Sequence, residues 1–104
     1  RKDLGYFSVG AAHSAAAVVL CESAIDAISC LALHPACACI STSGARANPR
    51  WLSSLLASGA SVYCGFDSDP TGDGMAGAMI GLYPRVKRLR PTLHDWNDLL
   101  TSRR

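Results

Sequence analysis

The stretch YCGFDSDPTGDG, residues 63–74, leads from an apolar run into two aspartates and then becomes rich in glycine. The run that ends in it, SVYCGF at 61–66, has the length and composition of a buried strand. Asp67 and Asp69 follow that strand directly, and Pro70 is suited to the first turn of a helix. The stretch therefore predicts a strand, a negatively charged turn and a helix in succession.

Apolar runs alternate with helical patterns along the rest of the chain. Three more runs read as strands, at residues 15–21, 36–42 and 86–90. Helices are predicted between the strands and after them, at residues 23–33, from Asn48 and Pro49 to Gly59, around Met75 to Leu82, and within 94–100. Such alternation predicts an α/β fold, a Rossmann-like, mostly parallel four-stranded sheet with helices on both faces.

The first helix carries two distinct signals. Ser23 and Asp26 have the spacing of a capping box, which assigns Asp26 to helix capping rather than to a metal. Ile25, Ile28 and Leu31 share one face, the apolar face of the predicted helix.

Length and composition limit the class of protein. The chain has 104 residues, 49% of them hydrophobic, which suits one globular domain. We expect residues 15–101 to form the core of that domain, residues 1–14 to be an N-terminal extension, and the chain to be a piece of a larger protein. Neither a membrane-spanning run nor a secretory signal is recognisable in the sequence, which favours a cytoplasmic protein without membrane contact.

The five cysteines do not have the spacing of a metal site. No histidine pair at ligand spacing follows them, and an odd number argues against a disulfide framework. We expect them to be small buried hydrophobic residues.

Acidic residues follow several of the predicted strands. In an open parallel sheet the carboxyl ends of the strands lie at one edge, where ligands bind. Neighbouring carboxylates repel one another, and a hard divalent cation relieves that repulsion. The sequence therefore predicts a site for Mg²⁺, with Mn²⁺ as a substitute, formed by Glu22, Asp67, Asp69, Asp95 and Asp98.

The basic residues indicate what such a site would face. The chain carries 10 lysines and arginines against 8 acids, and most of the acids belong to the predicted edge. The densest basic segment lies just before the last acidic motif and consists of Arg85, Lys87, Arg88 and Arg90. A surface of this kind attracts polyanions, so the expected partners are DNA or RNA and nucleotides.

Three motifs together carry a family resemblance. A strand ending in Glu22, a later strand ending in Asp67-Ser68-Asp69, and a closing D-W-N-D at 95–98 resemble the Toprim domain of primases, topoisomerases and related nucleases. The segments CESAIDAIS and HDWNDLL are most similar to Toprim domains of primase-like and plasmid-mobilisation proteins. Two positions depart from the family pattern: Ser23 replaces a common glycine, and His94 replaces a common lysine.

The resemblance implies a function and a role for each motif. The domain would catalyse Mg²⁺-dependent phosphoryl transfer on nucleic acids, with Asp67 and Asp69 holding the metal and Glu22 acting as a metal ligand or general acid/base. Asp95 and Asp98 would be supplementary ligands. Flanking domains of the full-length protein would grip the substrate, so we expect little catalysis by this segment alone.

Two other functions remain open at this point. The first is a Toprim-like module that binds metal and nucleic acid without catalysis. The second is a haloacid-dehalogenase-like phosphatase, because FDSDPT matches its D-x-D-x-T motif. Too few residues follow Asp69 for the remaining motifs of that fold.

Overall fold

The structure, a computed structural model, describes residues 17–103 and the backbone of residues 7–9. Its strands are β1 (Phe7–Val9), β2 (Ala17–Cys21), β3 (Ala38–Ser41), β4 (Ser61–Cys64) and β5 (Lys87–Arg88). Its helices are α1 (Ala24–Leu33), α2 (Leu52–Ala57), α3 (Pro70–Leu82) and α4 (Trp96–Thr101). Except for residues 7–9, the predicted N-terminal extension lies outside the described residues.

All five strands belong to one sheet, in the order β1-β3-β2-β4-β5. The strands β2 to β5 are parallel, which confirms the predicted α/β fold with four parallel strands. The sheet also has an antiparallel edge strand, β1, paired with β3. With three residues, β1 is too short for its sequence pattern to reveal it.

Helices cover both faces of the sheet, as predicted. Successive strand residues point to opposite faces, so Val18 and Leu20 pack with α2 and α3 while Val19 and Cys21 pack with α1 and α4. All five cysteines are free thiols, and four of them are buried. The interpretation as small buried residues thus holds for those four, whereas Cys37 is half-buried.

Helix α1 begins at the predicted cap but turns a different face inward. The Ser23 hydroxyl accepts a hydrogen bond from the Asp26 amide, as the capping spacing predicted. However, Ile25 and Ile28 are 62% and 53% exposed, and the buried face is formed by Asp26, Ala27, Ser29 and Cys30. These smaller side chains let α1 lie close to the sheet and α4, which apolar periodicity could not predict.

Helix α3 is fixed to the end of β4 by a glycine. Asp69 caps the helix, its carboxylate accepting a hydrogen bond of 2.7 Å from the Gly72 amide. A Cβ atom at Gly72 would lie 2.0 Å from the carbonyl oxygen of Asp67. The glycine thus allows the helix to pack directly on the backbone of Asp67.

Helix α4 is anchored by its first residue. Trp96 is 2% exposed, and its indole N–H donates to the Gly65 carbonyl at 2.8 Å, just beyond the end of β4. The D-W-N-D motif thus joins the core to the carboxyl edge of the sheet. None of the described helices is both long and apolar enough to cross a membrane.

Candidate metal centre

The predicted acids do converge at the carboxyl edge of the sheet. The backbone N–H of Asp67 donates to Oε2 of Glu22 at 2.7 Å, which joins the ends of β2 and β4. The amide of Ser68 donates to the His94 carbonyl at 2.7 Å and joins the turn after β4 to the segment before α4. Glu22, Asp67 and Asp95 thereby come from distant parts of the chain to one site.

Asp67 is the acid of this site whose negative charge the fold disfavours most clearly. Its side chain is 15% exposed, and its Oδ1 is buried without a hydrogen-bond partner among the described residues. Burial raises the pKa of Asp67 from 3.8 to about 6, and the neighbouring carboxylates of Glu22, Asp26 and Asp95 add to that rise. A cation at this point would relieve both penalties.

The described residues contain three groupings whose ligand atoms lie within 4.8 Å of one another. They are Asp67 with Asp69 and His94, Asp26 with Asp67 and Asp95, and His94 with Asp95 and Asp98. Carboxylate oxygens dominate these groupings, and Mg²⁺ prefers such oxygens. Together with the Oδ1 of Asp67, which has no hydrogen-bond partner among the described residues, this donor set fits a divalent metal ion.

Glu22 has a different position from the other predicted ligands. It belongs to none of the three groupings, and its Oε2 accepts a hydrogen bond from the Asp67 amide. Asp98 is exposed and is grouped with His94 and Asp95 but not with Asp67. The structure thus places Asp67 at the centre, Asp69 and Asp95 around it, and Asp98 at the outer side.

His94 places a possible positive charge among the acids. Its Nε2 lies 3.0 Å from Oδ2 of Asp69, and its Nδ1 lies 3.4 Å from Oδ2 of Asp95. The hydrogen bond to Asp69 raises the pKa of His94. The pKa of Asp69 is lowered, first by the Gly72 amide and then by His94. Asp69 is therefore already stabilised as a carboxylate, unlike Asp67.

Asp26, which the sequence interpretation assigned to helix capping, also lies among the acids near Asp67. It is 6% exposed, and its Oδ1 accepts a hydrogen bond of 3.2 Å from the Asn97 amide of α4. Burial raises the pKa of Asp26. No signal in the sequence indicated this position, because apolar periodicity predicted a different buried face for α1.

The basic segment is divided between the two edges of the sheet. Arg85 donates to the Leu56 carbonyl at 2.7 Å, and Arg85 and Lys87 line an open cleft of about 480 Å³ beside the start of β4. Lys87 pairs with Tyr63 in the sheet, whereas Arg88 pairs with Cys64, closer to the acids. Only the second half of the segment therefore lies near the acidic edge.

That second half is already bound by protein groups. Arg88 donates to the carbonyls of Cys64, Phe66 and Asp67 at 3.1, 2.7 and 3.0 Å. Arg88 and Arg90 also both pair with Asp73, at 2.7 and 3.1 Å. These two arginines thus brace the turn after β4, a role that their sequence position did not reveal.

The family comparison agrees with this geometry. A family model described as Toprim-like matches residues 19–100, which include Glu22, Asp67, Asp69 and the D-W-N-D motif. No curated protein and no solved structure gives a match. Domains of this kind generally bind divalent metals and are associated with nucleic acids. By this match over most of its length, and by the acidic edge that the fold assembles, the chain belongs to the Toprim-like family.

Proposed function

We propose that this domain supports Mg²⁺-dependent phosphoryl transfer on nucleic-acid phosphodiesters within a primase-like or plasmid-mobilisation protein. The observation that carries the proposal is the buried, unpartnered Oδ1 of Asp67 among other carboxylates. A folded protein rarely keeps such an atom without a function for it, because the uncompensated charge costs stability.

The chain's own carboxylates define where a metal would be held. Asp67 and Asp69 would be its principal ligands, Asp95 would lie beside them, and Asp98 would act from the outer side through water. When bound, Mg²⁺ would supply charge neutralisation for phosphoryl oxygens, and Mn²⁺ could substitute for it.

Glu22 is suited to moving a proton. The Asp67 amide fixes Oε2, whereas Oε1 has no hydrogen-bond partner among the described residues. The carboxylate is thereby oriented while one oxygen stays available for a substrate hydroxyl. We assign Glu22 the role of general acid/base on this basis.

Nucleic acid would approach from the basic side of the domain. Arg85, Lys87, Arg88 and Arg90 remain the proposed contacts. The side chain of Lys87 is the most available, because it is exposed and makes no hydrogen bond or ion pair with the described residues, although it lies on the side away from the acids. Flanking domains would complete the substrate grip, and the cytoplasm is the proposed location.

One observation favours a second candidate, a non-catalytic module that binds metal and nucleic acid. His94 already stabilises Asp69 through a 3.0 Å contact, so part of the predicted metal-ligand pair is satisfied by the protein itself. A site with one ligand satisfied in this way could bind a metal weakly and still guide a nucleic acid.

The Glu22→Gln variant of the full-length protein tests which candidate holds. We expect turnover in primer-synthesis or nicking assays with Mg²⁺ to fall by about a hundredfold or more, while the metal affinity measured by calorimetry changes little. Arg103→Gln is the control, because Arg103 is exposed, lies outside the acidic site and has no side-chain partner among the described residues, so its turnover should not change. Undiminished turnover in Glu22→Gln would contradict the assignment. Metal binding without turnover in the wild type would favour the non-catalytic module.

A further inference from the structure

The loop between β3 and α2, residues 42–51, lies on the opposite side of the acidic centre from Arg88 and Arg90. In the sheet, β2 stands between β3 and β4, so the loop leaves the carboxyl edge next to Glu22. Two hydrogen bonds fasten it there: the Thr42 amide donates to the Cys21 carbonyl at 2.8 Å, and the Gly44 amide donates to the Glu22 carbonyl at 2.7 Å. The start of the loop is thus held by the backbone of the proposed general acid/base.

The chain changes direction sharply just after this attachment. Ser43 has a φ of 57°, and Gly44 has a φ of 115°. Such backbone angles are uncommon for a serine and are kept where the surrounding structure fixes them. The Thr42 hydroxyl also bonds to the Gly44 carbonyl across the turn. The residues that follow are therefore presented from a defined turn.

Those residues offer unused hydrogen-bond donors. Arg46 is exposed, and among the described residues it has neither a hydrogen bond nor an ion pair. The backbone N–H groups of Ala45, Arg46 and Ala47 likewise have no protein acceptor within the described ranges. An arginine in a loop whose successive amides have no protein acceptor among the described residues offers donors suited to a phosphate group.

The opposite side of the site lacks such a set. Arg88 donates to three carbonyls and to Asp73, and Arg90 donates to Asp73 through two nitrogens. Of the arginines near the edge, Arg46 thus keeps its full donor capacity for a ligand. A phosphate bound by this loop would lie on the β3 side of Glu22, the side to which the loop is attached.

We propose that Arg46 and the amides of Ala45 to Ala47 bind a phosphate group of the substrate, on the β3 side of the acidic centre. The proposal rests on the proposed function for the identity of the substrate. It places a phosphate contact in the loop at residues 42–51, which is separate from the basic segment at residues 85–90.

The test uses the full-length protein and a fluorescently labelled single-stranded oligonucleotide in the presence of Mg²⁺. For Arg46→Gln we expect weaker binding and a log–log salt slope that is flatter by about 0.7, the loss of one phosphate contact on a single strand. Arg46→Lys should keep most of the slope. Arg103→Gln is the control for net charge, since Arg103 is exposed and its side chain has no partner among the described residues.

A second arm identifies the source of the phosphate. Calorimetry with a nucleoside triphosphate and Mg²⁺ should show weaker binding to Arg46→Gln if the phosphate belongs to a nucleotide, and equal binding if it belongs to the polynucleotide. The proposal is overturned if Arg46→Gln matches the wild type in both arms while its melting temperature shows that it is folded. Phosphate contacts by Arg46 in a protein without turnover would instead contradict the proposed catalysis and leave this loop's role intact.

Discussion

Asp67 and Asp73 belong to one short segment, yet their surroundings are opposite. Asp67 has a buried oxygen without a hydrogen-bond partner in the part of the chain that the structure describes, and its pKa is raised to about 6, first by burial and then by neighbouring acids. Asp73 is exposed, pairs with Arg90 and Arg88, and has a lowered pKa because of those two hydrogen-bonding partners.

The difference suggests two roles: Asp73 stabilises the fold by pairing with arginines, whereas Asp67 is available to a ligand. The fold provides two arginines for Asp73, whereas it surrounds Asp67 with Glu22, Asp26 and Asp95 and offers it His94 at the longer distance of 3.9 Å. Repulsion of this kind lowers the stability of the metal-free protein, and an added cation would reverse it. Asp67, whose burial and acidic neighbours outweigh the effect of His94, is therefore the best marker of the candidate site.

The largest expected effect comes from the glycine between these two aspartates. Gly72→Ala would place a Cβ 2.0 Å from the Asp67 carbonyl oxygen, a backbone atom that cannot rotate away. We expect a loss of unfolding free energy of about 3 kcal/mol or more. We also expect the metal site to be lost, because the turn carrying Asp67 must move.

Gly77→Ala is the matched control in the same helix. No atom lies within 4 Å of a Cβ built at Gly77, and its exposed helical position should gain about 1 kcal/mol from the alanine. Thermal and urea unfolding of both variants measures the difference. Equal stabilities would show that α3 does not hold Asp67 in place.

The sequence predicted this region better than it predicted the distribution of charge. The strand before Asp67, the helix starting at Pro70 and the convergence with Glu22 all follow from apolar patterning and the rule for parallel sheets. Which acid would be buried and which would be paired does not follow, because it depends on side chains far apart in the chain. Arg88 reaches Asp73 from β5, and Asp26 faces Asp67 from α1.

Helix α1 and the family assignment also separate what local sequence patterns predict from what contacts between distant residues decide. Its capping serine was predictable from local spacing, whereas its outward-facing Ile25 and Ile28 were not, because packing against α4 decides the buried face. The motif order did predict the family, and the match to residues 19–100 leaves the haloacid-dehalogenase-like alternative without support. The metal identity and the reaction remain predictions.

Asp67→Asn tests the electrostatic penalty itself. The pKa of Asp67 is about 6 in the fold against 3.8 ordinarily, so the folded protein binds the proton more tightly than the unfolded chain. The contribution of Asp67 to the free energy of unfolding is therefore fully present below pH 3.8 and is lost as the pH rises through about 6. The loss is at most about 3 kcal/mol. Without metal, Asp67→Asn should remove this decline, as measured by urea unfolding across that pH range.

Adding Mg²⁺ should make the wild type more stable than Asp67→Asn, the reverse of the order expected without metal above pH 6. At a metal concentration of about 100 times the dissociation constant, the wild type should gain about 2.7 kcal/mol, whereas Asp67→Asn should gain little. Below pH 6 the gain should shrink, because protons compete for Asp67. Asp73→Asn should keep the metal response; a response lost equally in both variants would contradict the distinction between the two aspartates.

The smallest expected effects concern the two arginines that share Asp73. Arg88 makes hydrogen bonds to three backbone carbonyls as well as to Asp73, and its side chain is 20% exposed. A lysine keeps the charge but cannot reproduce this forked geometry, so Arg88→Lys should lose about 2 kcal/mol. Arg90 is 55% exposed and contacts only the Asp73 carboxylate, so the stability of Arg90→Lys should be within experimental error of the wild type, particularly at high salt.

Urea unfolding at low and high ionic strength compares the two variants. Equal losses would mean that Arg88 acts only through its charge, and that the turn carrying Asp67 is held by other contacts.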